Sequence, residues 1–418
     1  MSDQKQANHK EDRELVTIAG AAALIMQYPS IVAPCRVSLH GALGMVLAED
    51  CRASFDLPPH DHAAMDGYAF RAADASHGRL RVCGFLPAGS SMQLEVPQGE
   101  AVRIMTGAPV PLACDTVVPF ENLIVDQTGI RFTRPFQQGD NIRRRGEDVR
   151  QGELLLAAGT VLRPQEIALL AAANIVAPTV YKRLKVAILA TGDELLEPGA
   201  MLQPGKIINS NSTMLAALVQ EAGAEPLLMG VAADTLADTA AKIAASCAAD
   251  VVLVTGGASA GDHDFVSAAI QQLGGTIFFS GVQIKPGKPF GMGMAQDRPV
   301  FIMPGNPVAV MIIFELFVRP FLLSGMGRQK IYRPRIQAKL TGAVRNKGGR
   351  PHFVGVQLDR GCDGWDATIT GSQSSGRIGS LTQAAGLAEL EPESNCQPGD
   401  RVAVLVLDAT VAMEELHG

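Results

Sequence analysis

The chain has 418 residues, 47% hydrophobic and 19% charged, the balance of a globular protein with several buried cores and room for three or four domains. A formal charge of −6, aromatics at 5% and no basic block beyond Arg143-Arg144-Arg145 exclude an extended nucleic-acid face. Seven cysteines, odd in number and scattered, give neither a disulfide framework nor a zinc-knuckle spacing, so reduced thiols in a cytoplasmic protein are expected.

In chain order, residues 1–14 are polar and lack a signal-peptide pattern. Residues 15–28 read as one helix stopped by Pro29. Its apolar run, like that at 308–318 around Glu315, is shorter than the ~20 residues that span a bilayer, so both are expected to face a core and no membrane contact is expected. Between 50 and 150, short apolar stretches at 80–85, 101–105, 116–119 and 130–133 are punctuated by Gly and Pro, which predicts a β-rich segment. A helix is expected at 164–173, with Pro164 in its first turn. From 184 onward strands (186–190, 225–231, 251–254, 276–279, 300–303) alternate with helices (210–222, 235–248, 265–273, 307–323). This alternation predicts a parallel sheet covered on both faces, with ligands beyond the C-terminal strand ends. After Pro334, strands at 336–340, 353–358, 365–369 and 402–406 predict a small β-barrel or sandwich.

The strand ends carry the chemistry. Thr191-Gly192-Asp193-Glu194 puts two carboxylates beyond the first strand of the α/β segment, where they face the ligand crevice or cap a turn. The strand at 251–254 runs into Thr255-Gly256-Gly257-Ala258-Ser259-Ala260-Gly261-Asp262-His263-Asp264. Small residues there let backbone N–H groups approach an anion, although the pattern is neither a Rossmann nor a Walker loop. A plain tight turn with Asp264 as a helix cap fits the same spacing. A carboxylate within an anion loop calls for a divalent cation between it and the phosphate. Lys285-Pro286-Gly287-Lys288-Pro289 is a stiff loop carrying two ammonium groups, suited to phosphate or another oxyanion. Pro304-Gly305-Asn306-Pro307 turns the last strand into the last helix. Asp66, before Gly67, is a turn residue or a site carboxylate. His60 and His62 lack a third ligand of matching type. The three arginines beside Glu147 and Asp148 read as a surface ion-pair network. Carboxylates, lysines and glycine loops without a nucleophilic triad suit metal-assisted chemistry on a phosphoanhydride.

These segments, in this order, resemble the molybdopterin molybdenumtransferase (MoeA) family, which includes the E domain of gephyrin. The resemblance rests on AMDGYA at 64–69, RIMTGAPVP at 103–111, NIRRRGEDV at 141–149, ATGDEL at 190–195, the glycine loop at 255–261, IKPGKPF at 284–290 and MPGNPVA at 303–309, and covers the chain from about residue 15 onward. It implies a multidomain α/β plus β subunit. Discontinuous domain I, helical and linking, would use 15–50 with 146–183, and β-rich domain II would be inserted at 51–145. A three-layer α/β molybdopterin-binding domain III with a parallel-rich sheet would occupy 184–331, and a C-terminal β-barrel-like domain IV would occupy 332–418. It further implies a homodimer whose active site lies at domain III, beneath domains of the partner subunit. The implied reaction inserts molybdenum from molybdate into adenylylated molybdopterin, with magnesium (Mg2+) assisting pyrophosphate cleavage and AMP leaving, a late step of molybdenum cofactor biosynthesis.

Mapped motif by motif, the resemblance assigns catalytic roles to Asp66, Asp148, Glu194 and Asp264. It assigns substrate binding to Thr106, Gly256, Gly257, Ser259, Gly261, Lys285, Lys288 and Ser375, and metal ligation to Glu194, Asp234 and Asp264. Implied partners are a molybdopterin adenylyltransferase and apo-molybdoenzymes or their chaperones. Three positions depart from the pattern: Ala63 replaces a serine, Gly281 a basic residue and Gly355 an arginine, with Arg350 nearby. They bear on oxyanion and pterin binding and leave the choice between molybdate and tungstate open. A non-catalytic scaffold on the same fold has no need of Asp66, Asp148, Glu194 and Asp264. An NAD-dependent dehydrogenase would require the missing GxGxxG turn.

Overall fold

The computed structural model of the chain describes residues 15–28, 32–90, 94–257, 265–371, 376 and 378–408. They fall into two compact bodies, one of residues 36–180 and one of residues 1–35 with 181–418.

The first body is built on a four-stranded sheet in the order Arg81–Leu86, Glu100–Ile104, Gly67–Phe70, Thr116–Pro119. Gly67–Phe70, the DGYA segment, was not expected as a strand, yet it lies inside the sheet, antiparallel to both neighbours. Its alternation feeds two cores: Ala69 packs with Val102, Ile104 and Val117, whereas Tyr68 and Phe70 pack with Ala101, Val118 and Ile130. A Cβ at Gly67 would stand 2.1 Å from the Val118 carbonyl oxygen, so this place in the sheet admits only glycine. Pro164–Ala172 forms the expected helix with proline in its first turn. Residues 36–50 and 146–180 of the expected domain I lie in this body, where Val46 and Leu47 bridge to Val161 and Val180.

The second body holds a six-stranded sheet in the order Glu225–Ala232, Lys185–Thr191, Val251–Thr255, Arg298–Met303, Gly291–Ala295, Thr276–Ser280. The first four strands are parallel. Gly291–Ala295 is the exception to the parallel sheet expected, running antiparallel to both of its neighbours. Val186, Ile188 and Leu253 face one core with Leu215 of the helix Ser210–Glu221 and the apolar residues of 308–323. Ala187, Leu189, Val252 and Val254 face the other, with Ile243 of Leu236–Ser246 and Val266 and Ile270 of Phe265–Gln272. The three-layer arrangement thus follows from β-branched strands that are apolar on both faces. The outer strand Glu225–Ala232 is kinked: its register slips opposite Ile188 and Ala190, and Gly230 there takes φ 76°.

The last helix, expected as one piece, is Pro307–Ile313, a π turn at Phe314–Val318, and Arg319–Gly325. Pro320 has no N–H to donate back along the helix, and the wider turn directly before it absorbs the mismatch. This segment is long and apolar enough to cross a membrane, but it is the core helix of the α/β layer, 78% buried over its most apolar window. Ile18–Ile25, capped by Thr17 Oγ1, packs Ala21 and Ile25 into the same core.

Five strands close the C-terminal barrel in the order Arg335–Leu340, Gly364–Ile369, His352–Gly361, Gly386–Leu390, Arg401–Val406. Gly386–Leu390 was not expected. The link into the barrel is fastened by Arg333. Its Nε and Nη2 bind both oxygens of Glu315 at 2.9 and 3.0 Å, Nη2 also reaches Glu221 at 2.6 Å, and Nη1 donates to the Leu407 carbonyl at 3.1 Å.

Candidate active site

In the first body, AMDGYA and RIMTGAP meet at one carboxylate. Asp66 Oδ1 accepts the Thr106 backbone N–H and the Thr106 hydroxyl, each at 2.7 Å. The backbone N–H, then the hydroxyl, hold the Asp66 carboxyl below the usual carboxylate range, and the nearby Arg103 charge adds to this. Arg103 itself lies over the rings of Phe85 and Phe120, 5.3 and 5.2 Å from their centroids. Asp148 is exposed and forms no ion pair among the described residues, its backbone N–H donating to the Leu57 carbonyl at 3.0 Å. Arg144 and Arg145 do form the ion pairs expected of the triple-arginine run. Their partners are the distant Asp61 at 2.7 Å and Asp56 at 2.5 Å, not the adjacent acids.

In the second body, the loops of interest leave one end of the six-stranded sheet. After Thr191, Gly192 takes φ 141° and the exposed Glu194 folds back over it, so that a Cβ at Gly192 would lie 2.5 Å from Glu194 Oε2. On the neighbouring strand end, Asp234 exchanges contacts with Asp193. The Asp193 N–H donates to Asp234 Oδ2 and the Asp234 N–H to Asp193 Oδ1, both at 3.2 Å. Gly256 and Gly257 have φ 96° and 63°, and a Cβ on either would meet Thr191, at 2.3 Å from its carbonyl oxygen or 2.8 Å from its hydroxyl. Glycine is therefore demanded by close backbone approach as well as by conformation. Ser259, Gly261 and Asp264 lie outside the described residues, as does Ser375.

Asn211, which its position in a polar Asn-Ser-Asn-Ser run does not single out, ties these loops together. Its Nδ2 donates to Thr255 Oγ1 at 3.1 Å and to the Gly305 carbonyl at 2.7 Å, while Thr255 Oγ1 donates to the Pro304 carbonyl at 3.1 Å. Asn211 Oδ1 is buried and has no hydrogen-bond partner among the described residues.

The lysine loop connects Thr276–Ser280 to Gly291–Ala295 and so belongs to the same end of the sheet. Lys285 is pinned on both sides: its N–H donates to the Pro351 carbonyl at 2.9 Å and its carbonyl accepts from Phe353 N at 2.8 Å. Arg350 Nη1 donates to the carbonyl of Ile284 at 3.0 Å. Lys285 and Lys288 are exposed and form no ion pair among the described residues. His352, 7% exposed, is held down to about 4 by burial first and by the Lys285 ammonium second, and its Nδ1 has no partner among the described residues.

Comparison with known proteins decides the family. Residues 15–174 match the MoeA N-terminal region (domains I and II), 187–324 a probable molybdopterin binding domain, and 337–407 the MoeA C-terminal region (domain IV). The chain is 38% identical over 338 residues to "Molybdopterin molybdenumtransferase 2" of Mycobacterium tuberculosis, covering 78% of this chain and 84% of the relative. It is 30% identical over 415 residues to the molybdopterin molybdenumtransferase of Staphylococcus aureus, covering 97% and 99%. The crystal structure of a molybdopterin biosynthesis MoeA protein from Pyrococcus horikoshii superposes with a TM-score of 0.82 at 32% identity, covering 94% of this chain and 99% of that one. The chain belongs to the MoeA family.

Within this MoeA chain two of the three departures, Gly281 and Gly355, stand where an added side chain would be crowded. Ala63 is fully buried beside Ile104 and Ala108, with its N–H and carbonyl both engaged by the 107–108 turn. Gly281 takes φ 114°, and a Cβ there would lie 2.6 Å from Leu15 Cδ2, so a basic side chain has no place. A Cβ on Gly355 would meet Thr370 Oγ1 at 2.8 Å and the Ala384 methyl at 3.2 Å. An arginine at 355 therefore requires the Thr370 and Ala384 side chains to shift.

Proposed function

We propose that this chain is a cytoplasmic, homodimeric molybdopterin molybdenumtransferase. It would transfer molybdenum from molybdate to adenylylated molybdopterin with divalent-cation-dependent release of AMP, receiving substrate from a molybdopterin adenylyltransferase and passing product to apo-molybdoenzymes or their chaperones. One observation carries the reading. Carboxylates (Glu194, Asp234), glycine turns (Gly256, Gly257) and ammonium groups that form no ion pair among the described residues (Lys285, Lys288) all emerge from the same end of one sheet, the place where open α/β sheets bind ligands.

The donor set fits magnesium. Glu194 and Asp234 are exposed oxygen ligands, and each Asp234 or Asp193 carboxylate spends one oxygen on a single N–H. Among the described residues no three His, Cys, Asp or Glu side chains gather, and Asp264, the third proposed ligand, lies outside them. When bound, magnesium would polarise the phosphoanhydride and neutralise charge on the departing AMP. Lys285 and Lys288 would bind the oxyanion and the glycine turns would admit the nucleotide backbone; the motif resemblance assigns catalytic roles to Glu194 and Asp264 and, separately in the other body, to Asp66 and Asp148, and substrate contacts to Thr106, Ser259, Gly261 and Ser375.

Incubation with adenylylated molybdopterin, molybdate and magnesium should release AMP and yield molybdenum-bearing cofactor, and chelation should stop it. Substrate binding without any AMP release in the wild type would favour a scaffold instead.

A further inference from the structure

In the first body, an exposed guanidinium is held in place by aromatic rings while its donors stay unspent. Phe85, Arg103 and Tyr68 are register partners on three adjacent strands, so they share one face of the four-stranded sheet, the face that buries Phe70, Ala101 and Val118. At Arg103 this face meets solvent: Arg103 is exposed and Phe85 is 52% exposed. The guanidinium carbon lies over both the Phe85 and the Phe120 ring, and Tyr68 braces Phe120 edge-on, with 5.6 Å between centroids. Arg103 makes no ion pair or hydrogen bond through its guanidinium among the described residues, whereas Arg79 and Arg131 of the same body share Asp126. Asp66 stands two residues before Tyr68, and Thr106, three residues beyond Arg103, fixes it through Oδ1 alone. Asp66 Oδ2 has no hydrogen-bond partner among the described residues. Arg103 is close enough to help lower the Asp66 carboxyl, yet the two form no ion pair.

We propose that Asp66 and Arg103, backed by Phe85 and Phe120, recognise the pterin ring of the substrate, with Arg103 as a specificity-determining residue. The proposal rests on the transferase reading and deepens it by naming the residues that read the heterocycle. A pterin carries a ring N–H and an exocyclic amino group side by side on one edge, and carbonyl and ring-nitrogen acceptors on the next. The free Asp66 oxygen accepts from the donor edge, the Arg103 fork donates to the acceptor edge, and the exposed Phe85 ring offers an apolar face to the heterocycle. A phosphate at the guanidinium would face the Asp66 carboxylate as a like charge. The mixed pair therefore favours a ring bearing both donors and acceptors over a bare anion.

The test is fluorescence titration of the intact protein with 6-hydroxymethylpterin and with its analogue lacking the 2-amino group, with AMP and inorganic phosphate titrated calorimetrically in parallel. The wild type should bind the pterin roughly tenfold tighter than the analogue, since the Asp66 carboxylate loses a donor. Asp66→Asn should abolish that preference, a ratio that does not depend on the fraction of protein folded. Arg103→Met keeps the stem that packs on the rings and removes the fork, so it should weaken pterin binding roughly tenfold and leave AMP and phosphate binding unchanged. Arg103→Lys restores the charge without the planar fork and should recover about threefold at most. Absence of pterin binding by the wild type, equal affinity for pterin and analogue, or full affinity in Arg103→Met would overturn the proposal. A loss in Arg103→Met shared equally by AMP or phosphate would overturn it too, in favour of an anion site. AMP release by the wild type is scored separately. Arg103-dependent pterin binding without AMP release keeps the site and removes the transferase reading, and AMP release with wild-type pterin affinity in Arg103→Met does the reverse.

Discussion

Thr106 gives both of its donors to one oxygen of Asp66, joining two motifs forty residues apart at a single 2.7 Å contact pair. Thr106→Val deletes the hydroxyl and keeps the backbone N–H, so the Asp66 carboxyl should rise toward the ordinary aspartate range. The acid limb of the pH–rate profile for AMP release should then move to higher pH. Asp66→Ala should lose about 100-fold or more in turnover without a change in melting temperature. Normal turnover in Asp66→Ala would remove this carboxylate from the site.

Arg333 and Glu315, a residue 3% exposed, form an ion pair, and Arg319 Nε lies 3.7 Å from the same carboxylate, so deleting Arg333 leaves the buried Glu315 with the longer of its two cation contacts alone. Arg333→Met should destabilise the protein by about 3–5 kcal/mol in chemical denaturation, and the Arg333→Met/Glu315→Leu double variant by clearly less. Glu221→Gln, which removes the exposed third member, should cost about 1 kcal/mol or less. A double variant as weak as the sum of its singles would contradict this account.

Restoring the family residues should harm the molecule. Gly281→Lys and Gly355→Arg place side chains where φ 114° and Leu15, or Thr370 and Ala384, leave no room. Each should lower the melting temperature, with strain of about 1–3 kcal/mol at position 281. A stable Gly355→Arg enzyme with improved molybdate affinity would show that the barrel repacks.

His352 gives a pH signature. Its folded value, near 4, lies below the ordinary 6.5, so between these values the unfolded chain binds more protons. Stability should therefore climb as pH rises from about 4 to 6.5, level off above that, and lose this slope in His352→Gln. Denaturant midpoints measured across this interval would show it, and an unchanged slope in the variant would assign the effect to another group.

Much of the α/β layer was legible because Val186–Ile188 and Val251–Val254 carry apolar residues on both faces, a pattern only an interior strand needs. The antiparallel Gly291–Ala295 was not, since Gly-Met-Gly-Met lacks strand-forming residues. Its glycines answer to packing, a Cβ at Gly293 falling 2.6 Å from the Thr276 carbonyl oxygen. Gly-Leu-Ala-Glu-Leu at 386–390 likewise has the composition of a helix and becomes a strand because the barrel must close. In the site, Asp66 was visible as a carboxylate before a glycine. Its tie to Thr106, the Asn211 bridge and the reach of Arg350 to Ile284 span 40 to 94 residues of chain and leave no local trace.

The kink at Gly230 has a cellular meaning. An outermost strand with straight, evenly spaced amides would invite a second molecule to add its own strand, and crowded copies would polymerise. The register slip within Glu225–Ala232 puts the strand's donors and acceptors out of step where Leu228 stands exposed, a geometry that opposes edge-to-edge pairing. A substitution that straightened this border would be expected to show itself first as lost solubility, before any change in catalysis.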